Sequence, residues 1–391
     1  MTVRDIHRIS TVRVISGIAS LSKALDLDES ELEKAALLVE KYTIKEKKKI
    51  DGSARTVHSP CKLIRKVQTR IKNRIFRDPN IIEWGSFIFG SIPNGNDIPR
   101  DYVSCARQHC GAKSLLKLDI SSFFDNIHSD LVNAIFLNFF HFDSDVADLL
   151  TEICTYQGRL PQGGITSSYL ASLALYDVEC AVVRRLFKKE LVYTRYVDDI
   201  TVSSKIFNYD YSYPMRIIQD MLYKKDLPMH PEKTVIERLG TEGLTVHGLR
   251  VHHDTVRLPR EEARKIRANV KRVEELSKEP CYRTSFAYRR DFNRCMGRVN
   301  KLERVGHNQS SVLVKRLNNV QPLPSLKDIT RCKDVVKRLA RDYLTLGHTH
   351  SYRTRFYRCH ERLNILSRSF EVIAADLRLK LKPIKPPEKI K

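Results

Sequence analysis

Two hydrophobic periods alternate along this chain. From Ser22 to Tyr42, Leu25, Leu27, Leu32, Ala35, Ala36, Leu38 and Val39 build one broad apolar face, which predicts a helix with Asp28 or Ser30 available as its cap. Lys45 to Val57 brings a basic run, a turn at Asp51-Gly52 and the strand-like Arg55-Thr-Val-His-Ser before Pro60, a pattern that predicts a hairpin. Ile64 to Arg77 follows as a basic amphipathic helix, and Asn94 to Asp97 as a loop. Ser114 to Ile120 is an apolar strand ending in Asp119. Asp130 to Gln157 and Ser167 to Lys189 read as helices separated by the breaker Leu160-Pro-Gln-Gly-Gly. Leu191 to Tyr196 and Ile200 to Ser204 are strands around the tight turn Val197-Asp198-Asp199. After a helix near Met215 to Lys225, short strands flank Gly240 to Gly243. The remainder from Pro259 is helical with breaks near 322 to 324, and the basic, Pro-rich tail from Lys382 is expected to be disordered.

Composition narrows the class. Hydrophobic residues at 42% and charged residues at 29% exclude a wholly disordered chain, and 391 residues make two to three domains of about 100 to 200 residues each, with no need of disulfide staples. The longest uncharged stretch, Leu160 to Tyr176, contains a proline, two glycines and several hydroxyls, so no membrane span is expected. The charged opening Met1-Thr-Val-Arg-Asp-Ile-His-Arg lacks a signal-peptide core, which predicts a cytoplasmic protein. Nine cysteines then read as free, mostly buried thiols, and Cys105, His109 and Cys110 as a poor metal site without a second ligand pair.

Charge adds a partner. The formal net charge is +23, and residues 256 to 391 hold 34 Lys and Arg against 14 Asp and Glu, net +20. A surface so basic over a folded segment fits nucleic acid better than membrane. Aromatics interleave with arginines in Tyr282 to Arg294 and Tyr352 to Arg358, a mixture that suits phosphates and exposed bases, although aromatics at helical spacing also form cores.

Asp119, Asp198 and Asp199 carry the candidate chemistry. Turns favour aspartate anyway, so the Asp-Asp pair alone decides little. Three carboxylates at the ends of apolar strands nevertheless call for cations. Two divalent ions, Mg²⁺ by the hardness of the donors, would serve phosphoryl transfer, where positioning is the main catalytic resource.

Three segments occur in order: Leu116-Lys-Leu-Asp-Ile-Ser-Ser-Phe-Phe124, Leu160-Pro-Gln-Gly-Gly-Ile-Thr-Ser-Ser168 and Tyr193-Thr-Arg-Tyr-Val-Asp-Asp-Ile-Thr-Val-Ser203. Together they resemble the successive palm motifs of reverse transcriptases. The likeness extends upstream to Arg55 through Gln68 and downstream to Met229 through Thr234 and Leu244 through Leu249. It implies an α+β right-hand polymerase: a helical cap over 1–40, fingers and palm over 41–255, a helical thumb over 256–320 and a basic helical extension over 321–391. It further implies that Asp119 and Asp198 bind both metals with Asp199 nearby, and that Ile120 offers its backbone carbonyl. Phe124 would be the steric gate against a ribose 2′-hydroxyl. Gln162 and Gly163 would line the nucleotide pocket, Arg55 and Lys49 would hold the triphosphate, and Lys233 would sit near the pyrophosphate. His247 and Gly248 would approach the primer end. From the charge, Arg353, Arg355 and Arg358 are expected to anchor structured RNA.

Within the family the sequence resembles bacterial retron-type enzymes. Two stretches depart from their pattern: Cys105-Ala-Arg-Gln-His109 where Asn-Ala-x-x-His is usual, and Val246-His247-Gly248 where Val-Thr-Gly is usual. These departures lean toward related unclassified bacterial reverse transcriptases, many of them phage-defence enzymes with a dedicated noncoding RNA. The implied partners are a noncoding RNA template, dNTPs, the DNA product and an effector or second defence protein. Two rivals stay open: untemplated or protein-primed DNA synthesis, and a non-catalytic RNA-binding relative.

Overall fold

The computed structural model describes residues 15–48, 52, 54–95, 99–241 and 243–387. The chain forms two compact units, dividing between Arg257 and Leu258.

The first unit opens with α1 (Ile18–Leu25) and α2 (Glu29–Ala36) in place of the single helix expected over 22–42. Asp26 takes a left-handed conformation (φ 55°) and ends α1, and Asp28 occupies the N-cap position of α2 without a side-chain cap bond. Leu21, Leu25, Leu32 and Ala35 are buried, whereas Leu37 and Val39 beyond α2 are exposed. The hairpin β1 (Tyr42–Lys48) and β2 (Ala54–Pro60) pairs antiparallel from Tyr42–Pro60 to Lys48–Ala54, and α3 (Lys62–Ile71) continues into a π-helical turn over Lys72–Phe76. After β3 (Ile88–Phe89), α4 (Tyr102–Arg107) and β4 (Ser114–Asp119), the segment expected as one helix over 130–157 is broken. It forms α5 (Ser129–Ala134), a π-helical turn and α6 (Ser144–Cys154), with His141 left-handed (φ 54°) between them. The helix expected over 167–189 is likewise two, α7 (Ser167–Leu173) and α8 (Glu179–Phe187).

The sheet is completed by β5 (Val192–Tyr196), β6 (Asp199–Ser204) and β7 (Val235–Arg238), with α9 (Ser212–Tyr223) intervening. Its order is β3-β5-β6-β4-β7, antiparallel except for β3 beside β5. Register separates the faces. Leu116, Leu118, Tyr193, Arg195, Ile200 and Val202 share one, and all but Arg195 join the main hydrophobic core; Lys117, Asp119, Thr194, Tyr196, Asp199, Thr201 and Ser203 share the other. The period-2 alternation of these strands thus delivers every candidate carboxylate of the sheet to one side. A small hairpin, β8 (Thr245–Val246) and β9 (Leu249–Arg250), closes the unit.

The second unit is helical. Its first three helices, α10 (Arg260–Ser277), α11 (Phe286–Arg304) and α12 (Ser310–Asn319), pack through Ile266, Val270, Phe292, Val299, Leu313 and Leu317. After the Pro322–Pro324 break, α13 (Leu326–Leu346), α14 (His350–Leu366) and α15 (Glu371–Leu381) share a separate core of Val336, Leu339, Tyr352, Phe356, Leu363, Leu377 and Leu381. The disorder expected over Lys382–Lys391 is corrected for its first residues: Lys382–Ile384 form a 3₁₀ turn, Ile384 is buried, and the Tyr352 hydroxyl donates to its carbonyl at 2.8 Å, while residues 388–391 lie outside the described residues. Among the described residues no helix is long and apolar enough to cross a membrane.

Candidate active site

Asp119 ends β4 directly opposite Asp199, the first residue of β6, and Asp198 precedes it in the two-residue turn from β5. One carboxylate oxygen from each of the three lies within 4.8 Å of the others. Burial first, and then the charges of Asp198 and Asp119, push the Asp199 carboxyl up to about 6. A nearby cation would favour the ionised form of Asp199. Lys233 supplies one: its Nζ donates to Asp119 Oδ2 at 2.6 Å, and this bond is the main cause that raises the lysine above its ordinary value. The donors are hard oxygens, they converge, and they demand positive charge, so they fit Mg²⁺ better than a thiophilic metal.

The turn is under strain. Val197 is β-branched yet has φ 60°, a conformation that costs about 1–3 kcal/mol outside glycine. Three backbone anchors hold it. Val197 N donates to Phe89 O at 3.3 Å, Ile120 N donates to Asp198 O at 3.2 Å, and Arg195 Nη1 donates to Val197 O at 3.1 Å. Gly90 (φ 112°) lies under the turn, where a Cβ would stand 2.7 Å from Val197 Cγ2.

His247 and Gly248 form the turn of the β8–β9 hairpin, with φ 49° and 74° as a two-residue type I′ turn requires. The His247 ring lies 4.7 Å from that of Tyr196, and its Nδ1 is 3.9 Å from Asp199 Oδ2. Burial, helped by the Lys117 ammonium, pushes this imidazole down to about 4, so it meets Asp199 as a neutral ring. Phe124 is half-buried and packs edge-on against Phe123.

The loop at Gln162-Gly163 joins palm to hairpin. His58 N of β2 donates to Gln162 O at 2.8 Å, and a Cβ on Gly163 (φ 117°) would collide with the His58 carbonyl oxygen. The close approach this glycine permits is therefore to β2, the strand that carries Arg55. Nearby, buried Gln68 donates to Tyr42 Oη (2.7 Å) and Ile153 O (3.0 Å) and accepts from Ile165 N (2.9 Å), which ties hairpin, α6 and loop together. Lys49 lies outside the described residues. In the second unit, Arg353, Arg355 and Arg358 lie on α14, but they are not equivalent: Arg355 pairs with Asp342 at 2.7 Å, Arg353 lies over the Tyr357 ring, and Arg358 is exposed.

Sequence reasoning singled out Cys105 and His109 only as a poor metal site and a departure from the retron pattern, and it missed the Arg195–Glu179 pair. His109 is buried and bridges Ser203 Oγ and Thr194 Oγ1, each at 2.7 Å, while Cys105 bonds the same Thr194. Both ring nitrogens are thus engaged with hydroxyls, and burial pushes the imidazole down to about 3. On the opposite face, Arg195 and Glu179 form an ion pair at 0% and 1% side-chain exposure. The signal for the Arg195–Glu179 pair was a charged residue of each sign within otherwise apolar strand and helix patterns.

A sheet with three converging carboxylates at the end of one strand and the turn of the neighbouring hairpin, next to a lysine, defines the palm of a nucleotidyl-transferring polymerase. Residues 44–268 match the family model described as reverse transcriptase (RNA-dependent DNA polymerase). The chain is 46% identical over 363 residues to the retron Ec48 reverse transcriptase of Escherichia coli, covering 91% of this chain and 88% of that protein. It is 31% identical over 288 residues to the retron Se72 reverse transcriptase of Salmonella heidelberg (strain 579083-10), covering 72% and 73%. Among solved structures, telomerase from Candida albicans in complex with a fragment of telomeric RNA is similar at TM-score 0.40 and 11% identity, covering 87% of this chain and 66% of that one. The chain belongs to the reverse transcriptase family, as a bacterial retron-type member, and is an RNA-directed DNA polymerase of right-hand fold. The leaning toward unclassified enzymes is corrected: with Cys105 and His247 in place the chain still shares 46% of aligned residues with a retron enzyme. Enzymes of this family use divalent metal ions, for which the acidic triad is the candidate site.

Proposed function

We propose that this enzyme copies one defined noncoding RNA into DNA in bacterial defence against phage, using two Mg²⁺ ions at Asp119, Asp198 and Asp199 with the Ile120 carbonyl. The observation that carries the reading is the convergence of the three carboxylates at the mouth of a strained, firmly anchored turn. When bound, the ions would activate the primer hydroxyl and offset the charge on the leaving pyrophosphate. The protein's own residues do the rest. Arg55 and Lys49, on or next to the β1–β2 hairpin, bind the triphosphate, and the Gln162–Gly163 loop fixes the hairpin from below. Phe124 excludes a 2′-hydroxyl. Lys233, 59% exposed and on a flexible stem beside Asp119, would bind the pyrophosphate. His247 and Gly248 hold the primer end beside Tyr196.

The test is to sequence the RNA and DNA that copurify with the protein from its native locus, and to assay dNTP incorporation on that RNA with Mg²⁺. A single RNA with DNA complementary to one stretch of it is expected. DNA unrelated to any bound RNA would refute RNA-templated copying, and DNA whose 5′ end stays attached to peptide until protease digestion would show a protein primer.

A further inference from the structure

The main core contains one charged cluster that metal chemistry leaves unused. Arg195 lies on β5 with its side chain on the core face, and it makes four hydrogen bonds. Nε and Nη2 bond Glu179 Oε1 and Oε2 at 2.6 and 2.7 Å, Nη2 bonds Ser172 O at 2.9 Å, and Nη1 bonds Val197 O at 3.1 Å. Tyr193 completes the set, its hydroxyl donating to Glu179 Oε1 at 2.8 Å. The four bonds point to different places. Glu179 opens α8, and Ser172 lies in the last turn of α7, whose carbonyls lack helical partners. Val197 is the strained residue beside the catalytic aspartates.

A buried ion pair is a poor source of net stability, and well-packed apolar side chains of similar volume would serve the core as well. An apolar pair could not bond the Val197 carbonyl. The rigid guanidinium fork is the group that reaches a carboxylate and two carbonyls at once, which the single ammonium of lysine cannot do. We propose that Arg195, oriented by Glu179, is a positioning residue for nucleotidyl transfer: it braces the Val197–Asp198 turn against the α7–α8 connection and so sets where the Asp198 carboxylate meets its partners and the metal. The proposal rests on the assignment of Asp198 to the metal site, but it has a failure mode of its own.

The experiment uses the full chain with Tyr193→Phe, Glu179→Leu and Arg195→Met combined, which removes the whole polar cluster without leaving a buried charge unpaired. Three quantities are read beside wild type: melting temperature, Mn²⁺ binding without nucleotide by electron paramagnetic resonance, and kcat against the KM for dNTP. Expected are a melting temperature close to wild type, Mn²⁺ binding weakened about tenfold, and kcat lowered about 10- to 100-fold with KM little changed, the cost of a misplaced reacting group. Asp198→Asn alongside separates the two assignments: if it too leaves Mn²⁺ binding intact, the metal site itself is misassigned. Native Mn²⁺ binding and kcat in the folded triple variant, with Asp198→Asn impaired, overturn the positioning role. Should the triple variant not fold, the same readings on Arg195→Lys, normalised to folded protein, decide: lowered kcat with weakened Mn²⁺ binding supports the brace, and wild-type values overturn it.

Discussion

Gly163→Ala tests whether the Gln162–Gly163 loop positions the β1–β2 hairpin, to which triphosphate binding is assigned above. Gly163 has φ 117°, where an L-residue costs about 1–3 kcal/mol, and its new Cβ would collide with the His58 carbonyl oxygen. Relief requires β2 to move away, which stretches the 2.8 Å bond from His58 N to Gln162 O and forfeits about 0.5–1.5 kcal/mol more. The total, about 2–4 kcal/mol, can appear in two ways. If the fold absorbs it, the melting temperature drops roughly 4–16 °C. If the hairpin shifts instead, Arg55, three positions before His58 on the same strand, is carried out of place, and the KM for dNTP rises with a ceiling of about 30- to 1000-fold. Melting curves and steady-state incorporation on a fixed RNA template measure both. Gly158→Ala is the control, because Gly158 has φ 72° with open space around its missing Cβ, so it reports backbone strain alone. A Gly163→Ala enzyme that matches the Gly158→Ala enzyme in both melting and KM would refute the loop's role in locating the hairpin.

Asp198→Asn should lower incorporation at least about 100-fold while the melting temperature hardly moves, since it removes a ligand worth several kcal/mol to the transition state from a partly exposed turn; near-normal turnover would sink the assignment. Phe124→Val should raise the NTP-to-dNTP incorporation ratio by about 10- to 100-fold, read from paired kcat/KM values, and an unchanged ratio would make Phe124 core packing only. Arg353→Glu combined with Arg358→Glu should weaken binding of the native RNA and reduce its salt slope by about one per arginine, with little change in melting. Arg355 is left intact because its partner Asp342 would face a second carboxylate; unaltered affinity and slope would remove α14 from the RNA interface.

The strands and the acidic cluster were legible in the sequence because their signals are local. A period-2 run that ends in Asp119, and a tight turn carrying Asp198 and Asp199 between two such runs, put each carboxylate at a strand end; their convergence comes from the pairing of β4 with β6. The long helices were misread for the opposite reason. Nothing in the spacing of Leu25, Leu27 and Leu32 announces that Asp26 will turn left-handed, and the apolar richness of Ile135 to Phe142 masks the break at His141. Tail order was hidden as well, because Ile384 is held by Tyr352, 32 residues earlier. The role of Gly163 was half legible: the need for glycine shows in the motif, but its neighbour, the His58 backbone, comes from a strand about 100 residues away.

The catalytic hairpin is held from both faces by polar groups that apolar packing could replace in volume but not in aim. On the side of the carboxylates, His109 spans Thr194 of β5 and Ser203 of β6; on the core side, Arg195 ties β5 to α7, α8 and the turn. Hydrophobic contact is non-directional, whereas a buried hydrogen bond fixes direction and weakens steeply as its angle opens. Carboxylates that converge within 4.8 Å repel one another as they ionise, and the β-branched Val197 at φ 60° adds backbone strain to the same turn. A purely apolar scaffold would let the hairpin relax away from β4. The buried network opposes that relaxation in direction as well as in strength, and Lys233 lessens the repulsion at its source. Together they hold three converging, mutually repelling carboxylates in one place.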